Sequence, residues 1–208
     1  MNSPNHGQGN AKGPPTFAFT TENLAQARHF IAKYPAGRQA SAVMPLLDLA
    51  QRQHGGWLPP AAIEYVADFL EMPSIRVWEV ATFYSMYRLS PVGRHKVQVC
   101  TTTPCWLMGS DGVTDACEQA LGARFGETTA DGLFTLSEVE CLGACANGPV
   151  MRIDDDYYED LDPAKVRALL DACRRGEQPR PGSQAGRMGS APAGGPLVLQ
   201  DVKHGGDD

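Results

Sequence analysis

Four of the six cysteines fall into two pairs. Cys100 and Cys105 form C-x4-C, Cys141 and Cys145 form C-x3-C, and 35 residues separate the pairs. Such thiols can ligate a metal, form a redox disulfide or fill a core. Thiol oxidoreductases place C-x2-C at a helix start and need only one pair, which argues against the disulfide. Two pairs suit a structural zinc, a [4Fe–4S] cluster or a [2Fe–2S] cluster. Zinc knuckles prefer C-x2-C, whose short gap curls the chain around one tetrahedral ion, and the wider gaps here fit a larger guest. The C-x2-C-x2-C run of a bacterial [4Fe–4S] site is absent. No histidine stands near either pair, which excludes a Rieske-type centre. The spacing therefore favours [2Fe–2S], one pair on each iron, over zinc. Gly143 and Gly148, around the second pair, permit close backbone approach and N–H donation to sulfur.

Convergence of four thiolates requires loops at the same end of a sheet. The segment 95–100 alternates with period two and reads as a strand ending at Cys100, and Pro104 starts a helix through Val113, Ala116, Cys117 and Leu121 to Gly122. The free N–H groups of that helix start are expected to favour an anionic Cys105. Strands are predicted at 134–139, 150–153 and 157–161, with a solvated hairpin turn at Asp154-Asp155. The acidic stretch there lacks the central Gly and distal Glu of an EF-hand calcium loop. Asp162-Pro163 caps a last helix with Val166, Leu169, Leu170 and Cys173 on one stripe. Cys117 and Cys173, at helical spacing from aliphatic neighbours, read as core thiols.

Ahead of this lies a different texture. Helical spacing predicts four short helices within 20–88, starting at Thr20, running through about Gln53, opening at Pro59-Pro60 and capped at Ser74. Val77, Val80, Ala81 and Tyr84 read as core, while Arg76, Trp78, Phe83 and Tyr87 are candidates for a partner surface. Residues 91–175 carry 14 acids against 8 bases, whereas residues 1–90 are nearly balanced. From Gly176 onward, eight Gly and four Pro argue for a flexible tail with one apolar patch, Leu197-Val198-Leu199. The division expected is therefore a disordered N-terminus at 1–19, a helical domain at 20–92, an α/β domain at 93–175 and the tail at 176–208.

With 42% hydrophobic residues the 208-residue chain can fill a core, and its formal charge of −6 offers no footprint for a nucleic-acid backbone. No apolar run is long enough to span a membrane, and the first 16 residues match neither a signal nor a transit peptide. These features place it in a bacterial cytosol, where thiols stay reduced. No Ser or Cys stands beside a His and an acid as a nucleophilic triad would require.

The motifs Cys100-Thr101-Thr102-Thr103-Pro104-Cys105, Glu140-Cys141-Leu142-Gly143-Ala144-Cys145 and Tyr157-Tyr158-Glu159-Asp160-Leu161 resemble the family of 24-kDa subunits of respiratory complex I. Val77-Trp78-Glu79-Val80-Ala81-Thr82-Phe83-Tyr84 agrees as well, and the resemblance spans about residues 20–175. It implies an α+β chain, a small helical bundle followed by a thioredoxin-like domain with one [2Fe–2S] cluster. Its four ligands fall on Cys100, Cys105, Cys141 and Cys145. It further implies an electron-transfer subunit of NADH-quinone oxidoreductase with no substrate site of its own. FMN and NADH would sit on the partner, a flavin-bearing subunit of the peripheral arm at the cytoplasmic side of the inner membrane. The equivalent subunit of an NAD-linked formate dehydrogenase or NAD-reducing hydrogenase, and a zinc-stabilised interaction module, are the alternatives. The sequence departs from the family at Ala146-Asn147-Gly148-Pro149, where alanine is expected before the proline.

Overall fold

The computed structural model describes Pro14, residues 16–190, Gly194 and Val198. The chain divides into two compact units between Arg94 and His95.

The first unit is helical, with α1 (Thr21–Ile31), α2 (Val43–Gln53), α3 (Pro60–Phe69) and α4 (Ser74–Phe83). Each start has a local cause. The Thr20 hydroxyl accepts the Asn23 N–H at 3.2 Å, and Pro60 supplies the pre-set φ of a first helical turn. Ser74, expected as a cap, lies inside the first turn of α4, and Pro73 takes the cap position without a side-chain bond. Leu46, Leu47, Ile63, Val66 and Val77 are buried together in this core. Phe17 and Phe19 pack edge-on against Tyr65, and Phe19 also against Phe69. The expected N-terminal disorder at 1–19 is thus corrected at 16–19, which aromatic packing orders, while residues 1–13 lie outside the described residues. Tyr87 is no surface residue: its hydroxyl donates to the Met44 carbonyl at 2.9 Å, and burial, with Asp48 nearby, pushes its pKa up to about 12. Phe83 is 80% exposed and Tyr84, expected in the core, is 39% exposed.

The second unit is built on a five-stranded sheet ordered β2-β1-β3-β4-β5. Its strands are β1 (His95–Cys100), β2 (Phe134–Val139), β3 (Met151–Ile153), β4 (Asp156–Glu159) and β5 (Gly182–Ser183). β1 runs parallel to β2, in register from His95 opposite Phe134 to Cys100 opposite Val139. β3 is antiparallel to both β1 and β4, and β5 is parallel to β4. Between β1 and β2 the helix expected from Pro104 is two helices, α5 (Thr103–Leu107) and α6 (Ser110–Leu121). The break is Gly109, whose φ of +96° is left-handed and cannot continue a helix. The last helix, α7 (Pro163–Arg174), is capped by Asp162, whose carboxylate accepts the Ala164 and Lys165 N–H groups at 2.9 Å.

The core of this unit joins Val97 and Val99 with Leu136, Met151 and Tyr158 of the sheet and with the apolar stripes of α6 and α7. Cys117 and Cys173 belong to those stripes, and burial pushes the Cys117 thiol up to about 12. The hairpin turn is anchored rather than freely solvated. Asp154 pairs with the His95 ring at 2.8 Å and the Lys96 ammonium at 2.9 Å, and it accepts the Lys96 N–H at 2.9 Å.

Burial would raise the Asp154 carboxyl, but the Lys96 N–H, the His95 ring and the Lys96 ammonium outweigh it and hold the pKa below the ordinary 3.8. A carboxyl depressed on folding stabilises the fold above the unfolded-state pKa, and that contribution disappears as pH falls through the folded value. Asp154→Asn keeps one oxygen to accept the Lys96 N–H and tolerates the left-handed φ of +55° at this position, while it removes the charge and the second oxygen that faces the His95 ring. Urea unfolding at neutral pH is expected to show a loss of roughly 1 kcal/mol, modest because the side chain is one-third exposed. The difference from wild type should close as pH falls below 3.8; a pH-independent difference would show that the charge is not what stabilises the turn.

Candidate metal centre

Because β1 and β2 are parallel and in register, the chain leaves both at the same edge, and each exit carries one cysteine pair. Cys100 is the last residue of β1, and Cys105 lies in the short α5 that follows two residues later. Cys100 has the strand parity of Lys96 and Gln98, opposite Val97 and Val99. Its thiol therefore leaves the main core and joins Cys105 and Val150 in a small separate cluster, with Leu142, Ala144 and Tyr157 around it. Cys100 and Cys105 are each 1% exposed. Beyond β2, Cys141 is exposed and Cys145 half-buried, with their sulfurs 3.3 Å apart.

The two glycines singled out in the sequence both lie beside a cysteine pair. The Gly143 N–H donates to the Cys141 sulfur at 3.4 Å. At Gly148 the backbone passes so close to the first pair that an added Cβ would stand 3.5 Å from the Cys105 sulfur. That is ordinary contact, so an alanine would fit, and the departure noted at this position is sterically neutral. The passage also relates the two pairs: the segment after Cys145 is laid against Cys105 at Gly148, and the Cys100 N–H closes it by donating to the Val150 carbonyl at 3.2 Å.

The four thiols are unequal. Burial acts to raise Cys100, but hydrogen bonds from the Thr102 hydroxyl, from the Leu142 and Thr102 N–H groups and from Cys105 lower it overall. Cys105 is pushed up to about 11, first by burial and then by its hydrogen bond with Cys100, with the Val150 N–H opposing. Cys105 is therefore not the anionic thiol expected at a helix start, since α5 has only five residues and desolvation dominates. Its hydrogen bond to Cys141, ahead of desolvation, raises Cys145. The pairs also sense one another, because charge on Cys100 acts on both Cys105 and Cys145. Metal ligation by such thiols releases protons, with backbone N–H groups already placed to support the anions.

This donor set fits an iron–sulfur cluster: four sulfurs, two from each of two loops, one pair dry and one wet. Among the described residues no three His, Cys, Asp or Glu side chains close on one point as a single metal ion requires. The structure adds Thr102 and Asn147 to the neighbourhood. Thr102 was visible in sequence only as its closeness to Cys100. Asn147 gave no signal, because its side-chain partners, Glu159 and Gly189, lie 12 and 42 residues away.

Comparison with known proteins agrees with the geometry. The model of the family described as thioredoxin-like [2Fe–2S] ferredoxin matches residues 27–174. The E-type subunit of the NADH-quinone oxidoreductase of Rickettsia typhi is 61% identical over 75% of this chain and 92% of its own length. That of Rickettsia prowazekii is 59% identical over 75% and 88%. Among solved structures, an NAD+-reducing [NiFe]-hydrogenase in the H2-reduced state shares the fold at a TM-score of 0.55 and 19% identity, over 62% of this chain and 22% of that one. The chain belongs to the thioredoxin-like [2Fe–2S] ferredoxin family, together with the E-type subunits of NADH-quinone oxidoreductases.

Proposed function

We propose that Cys100, Cys105, Cys141 and Cys145 hold one [2Fe–2S] cluster and that the chain is the electron-transfer subunit of NADH-quinone oxidoreductase, beside the flavin of an NADH-binding partner. The observation that carries this reading is the delivery of both cysteine pairs to one edge by the parallel β1–β2 pair. A cluster bound there would take and return electrons singly, which lets the two electrons of a hydride leave a flavin one at a time. The chain's own residues hold and tune the sulfurs. The N–H groups of Leu142, Thr102, Gly143 and Val150 donate toward thiol sulfurs, a recognised lever on potential. Val150, Leu142 and Ala144 shield the first pair from water.

In this reading the helical domain, 20–92, carries the contact with the flavoprotein and the domain at 93–175 carries the cluster. Exposed Ile75, Phe83 and Met86 of the helical unit support the first assignment. The chain would lie in the peripheral arm at the cytoplasmic side of the membrane, and among the described residues no helix is long and apolar enough to cross one. The hydrogenase reading is supported only by shared fold at 19% identity, against 61% for the Rickettsia typhi relative.

Full-length protein made under iron-replete conditions is expected to be reddish-brown, with iron and acid-labile sulfide in the equal amounts of one [2Fe–2S] centre. Reduction should produce the EPR signal of a spin-one-half cluster. Stoichiometric zinc without sulfide would overturn the reading in favour of a zinc-stabilised module.

A further inference from the structure

The stretch after α7 was expected to begin a flexible tail at 176, yet the structure places residues 177–190 against the sheet and the second cysteine loop. β5 extends β4, with Gly182 opposite Tyr158 and Ser183 opposite Glu159. The Gln184 N–H donates to the Glu159 carbonyl at 3.0 Å. Asp160 is the hub that follows: one carboxylate oxygen accepts the Ser183 hydroxyl at 2.5 Å and the other accepts Arg187 at 3.0 Å. Arg187 and Asp160 are largely buried, at 24% and 13% exposed. Ser183 also accepts the Ala185 and Arg187 N–H groups at 3.2 and 3.1 Å, which folds the segment back.

From that fold the segment reaches the two residues that follow Cys145. The same Arg187 nitrogen that pairs with Asp160 donates to the Ala146 carbonyl at 3.3 Å. Asn147, 2% exposed, donates to the Glu159 carboxylate at 2.6 Å and to the Gly189 carbonyl at 2.5 Å. Its own carbonyl accepts the Asp160 N–H at 2.7 Å. The turn Cys145–Asn147 is therefore clamped from one side by β4 and from the other by 187–189, a segment beyond the family match at 27–174.

We propose that residues 177–190 are a strap that fixes the Cys145 turn and so governs how firmly the cluster is retained, with Arg187 as its principal positioning residue. The proposal rests on Cys145 being a cluster ligand. If the strap must open for Cys145 to leave iron, cutting its charge-assisted bonds speeds release, by about tenfold for a partly buried pair. Because a single guanidinium nitrogen makes both contacts, a lysine ammonium can replace it in part.

The test uses the full-length holoprotein as wild type, Arg187→Ala, Arg187→Lys and, as a variant that perturbs folding least, Ser183→Ala. Iron and sulfide are analysed on purification, cluster loss to an iron chelator is followed by visible absorbance, and the reduced protein is examined by EPR. Arg187→Ala is expected to load iron and sulfide as wild type does, to lose them about tenfold faster and to give a broadened signal from a less uniformly held ligand. Ser183→Ala should shift both readouts in the same direction, and Arg187→Lys should lie within about twofold of wild type. Release rates and line shapes equal to wild type in both alanine variants would overturn the strap while leaving the cluster assignment standing. Wild-type protein with zinc and no sulfide would overturn both.

Discussion

Full-length protein carrying Cys105→Ala is expected to emerge essentially colourless, with cluster affinity reduced by more than the roughly 10–100-fold that outer-shell changes cost at metal sites. Cys105 is buried, is backed by Gly148 and Val150, and has no spare ligand at hand, since the two remaining thiols, Cys117 and Cys173, sit in the helix stripes of the main core. Alanine offers no donor atom and leaves an apolar gap in the driest part of the site. Cys117→Ala is the control: it should retain the full iron and sulfide content and lose only packing, about 1 kcal/mol by denaturant unfolding. Iron and sulfide analysis of the two proteins side by side decides. Equal loss in both would mean that the ligands are not the two spaced pairs.

Phe134→Ala should produce the largest loss of stability among the changes considered, about 3–5 kcal/mol out of a typical 5–15. Phe134 opens β2 directly opposite His95, with ring centroids 5.5 Å apart, and is 1% exposed. The Arg174 guanidinium of α7 lies 5.7 Å from its centroid and also donates to the Ala120 carbonyl of α6. One ring thus ties the parallel strand pair to both helices. Scanning calorimetry is expected to show the melting of the second unit lowered by at least about 12 °C. The first unit has its own core, so its melting should stay in place. A shift below a few degrees, or an equal shift of both units, would show that this ring does not hold β1 and β2 in the register that places the cysteines.

Much of the site was legible because its signals are local. Cysteine spacing, the period-two run 95–100 and the helical stripes of Val113 to Leu121 and Val166 to Cys173 each report an element facing its own core. What escaped depends on partners far along the chain. Tyr87 looks amphipathic in sequence, and it is core because it packs in the helical cluster with its hydroxyl on the carbonyl of Met44, 43 residues away. β5 is one glycine and one serine held by backbone bonds, and the Arg187–Asp160 pair leaves no periodic trace. Composition read 176–208 as one tail, because Gly and Pro content describes what cannot form a hydrophobic core and is silent about a segment held by hydrogen bonds. Of the apolar patch expected there, Leu197 and Leu199 lie outside the described residues. The expectation of an anionic Cys105 failed for a related reason: sequence shows that Cys105 follows a proline at a helix start, but not that Gly148 and Val150 close over it.

The bond from Asn147 to Gly189 also places the site in the timetable of synthesis. Its partners are 42 residues apart, so at about 5–20 residues per second the ribosome needs roughly 2–8 s to make the second after the first. Throughout that interval the turn carrying Cys145 lacks the support of 187–189, and until residue 160 is made it lacks that of β4 as well, with β1, α5 and β2 already made. The turn is therefore fully braced only once residue 189 has been made, so the last support of this cysteine loop comes from chain synthesised well after the cysteines themselves.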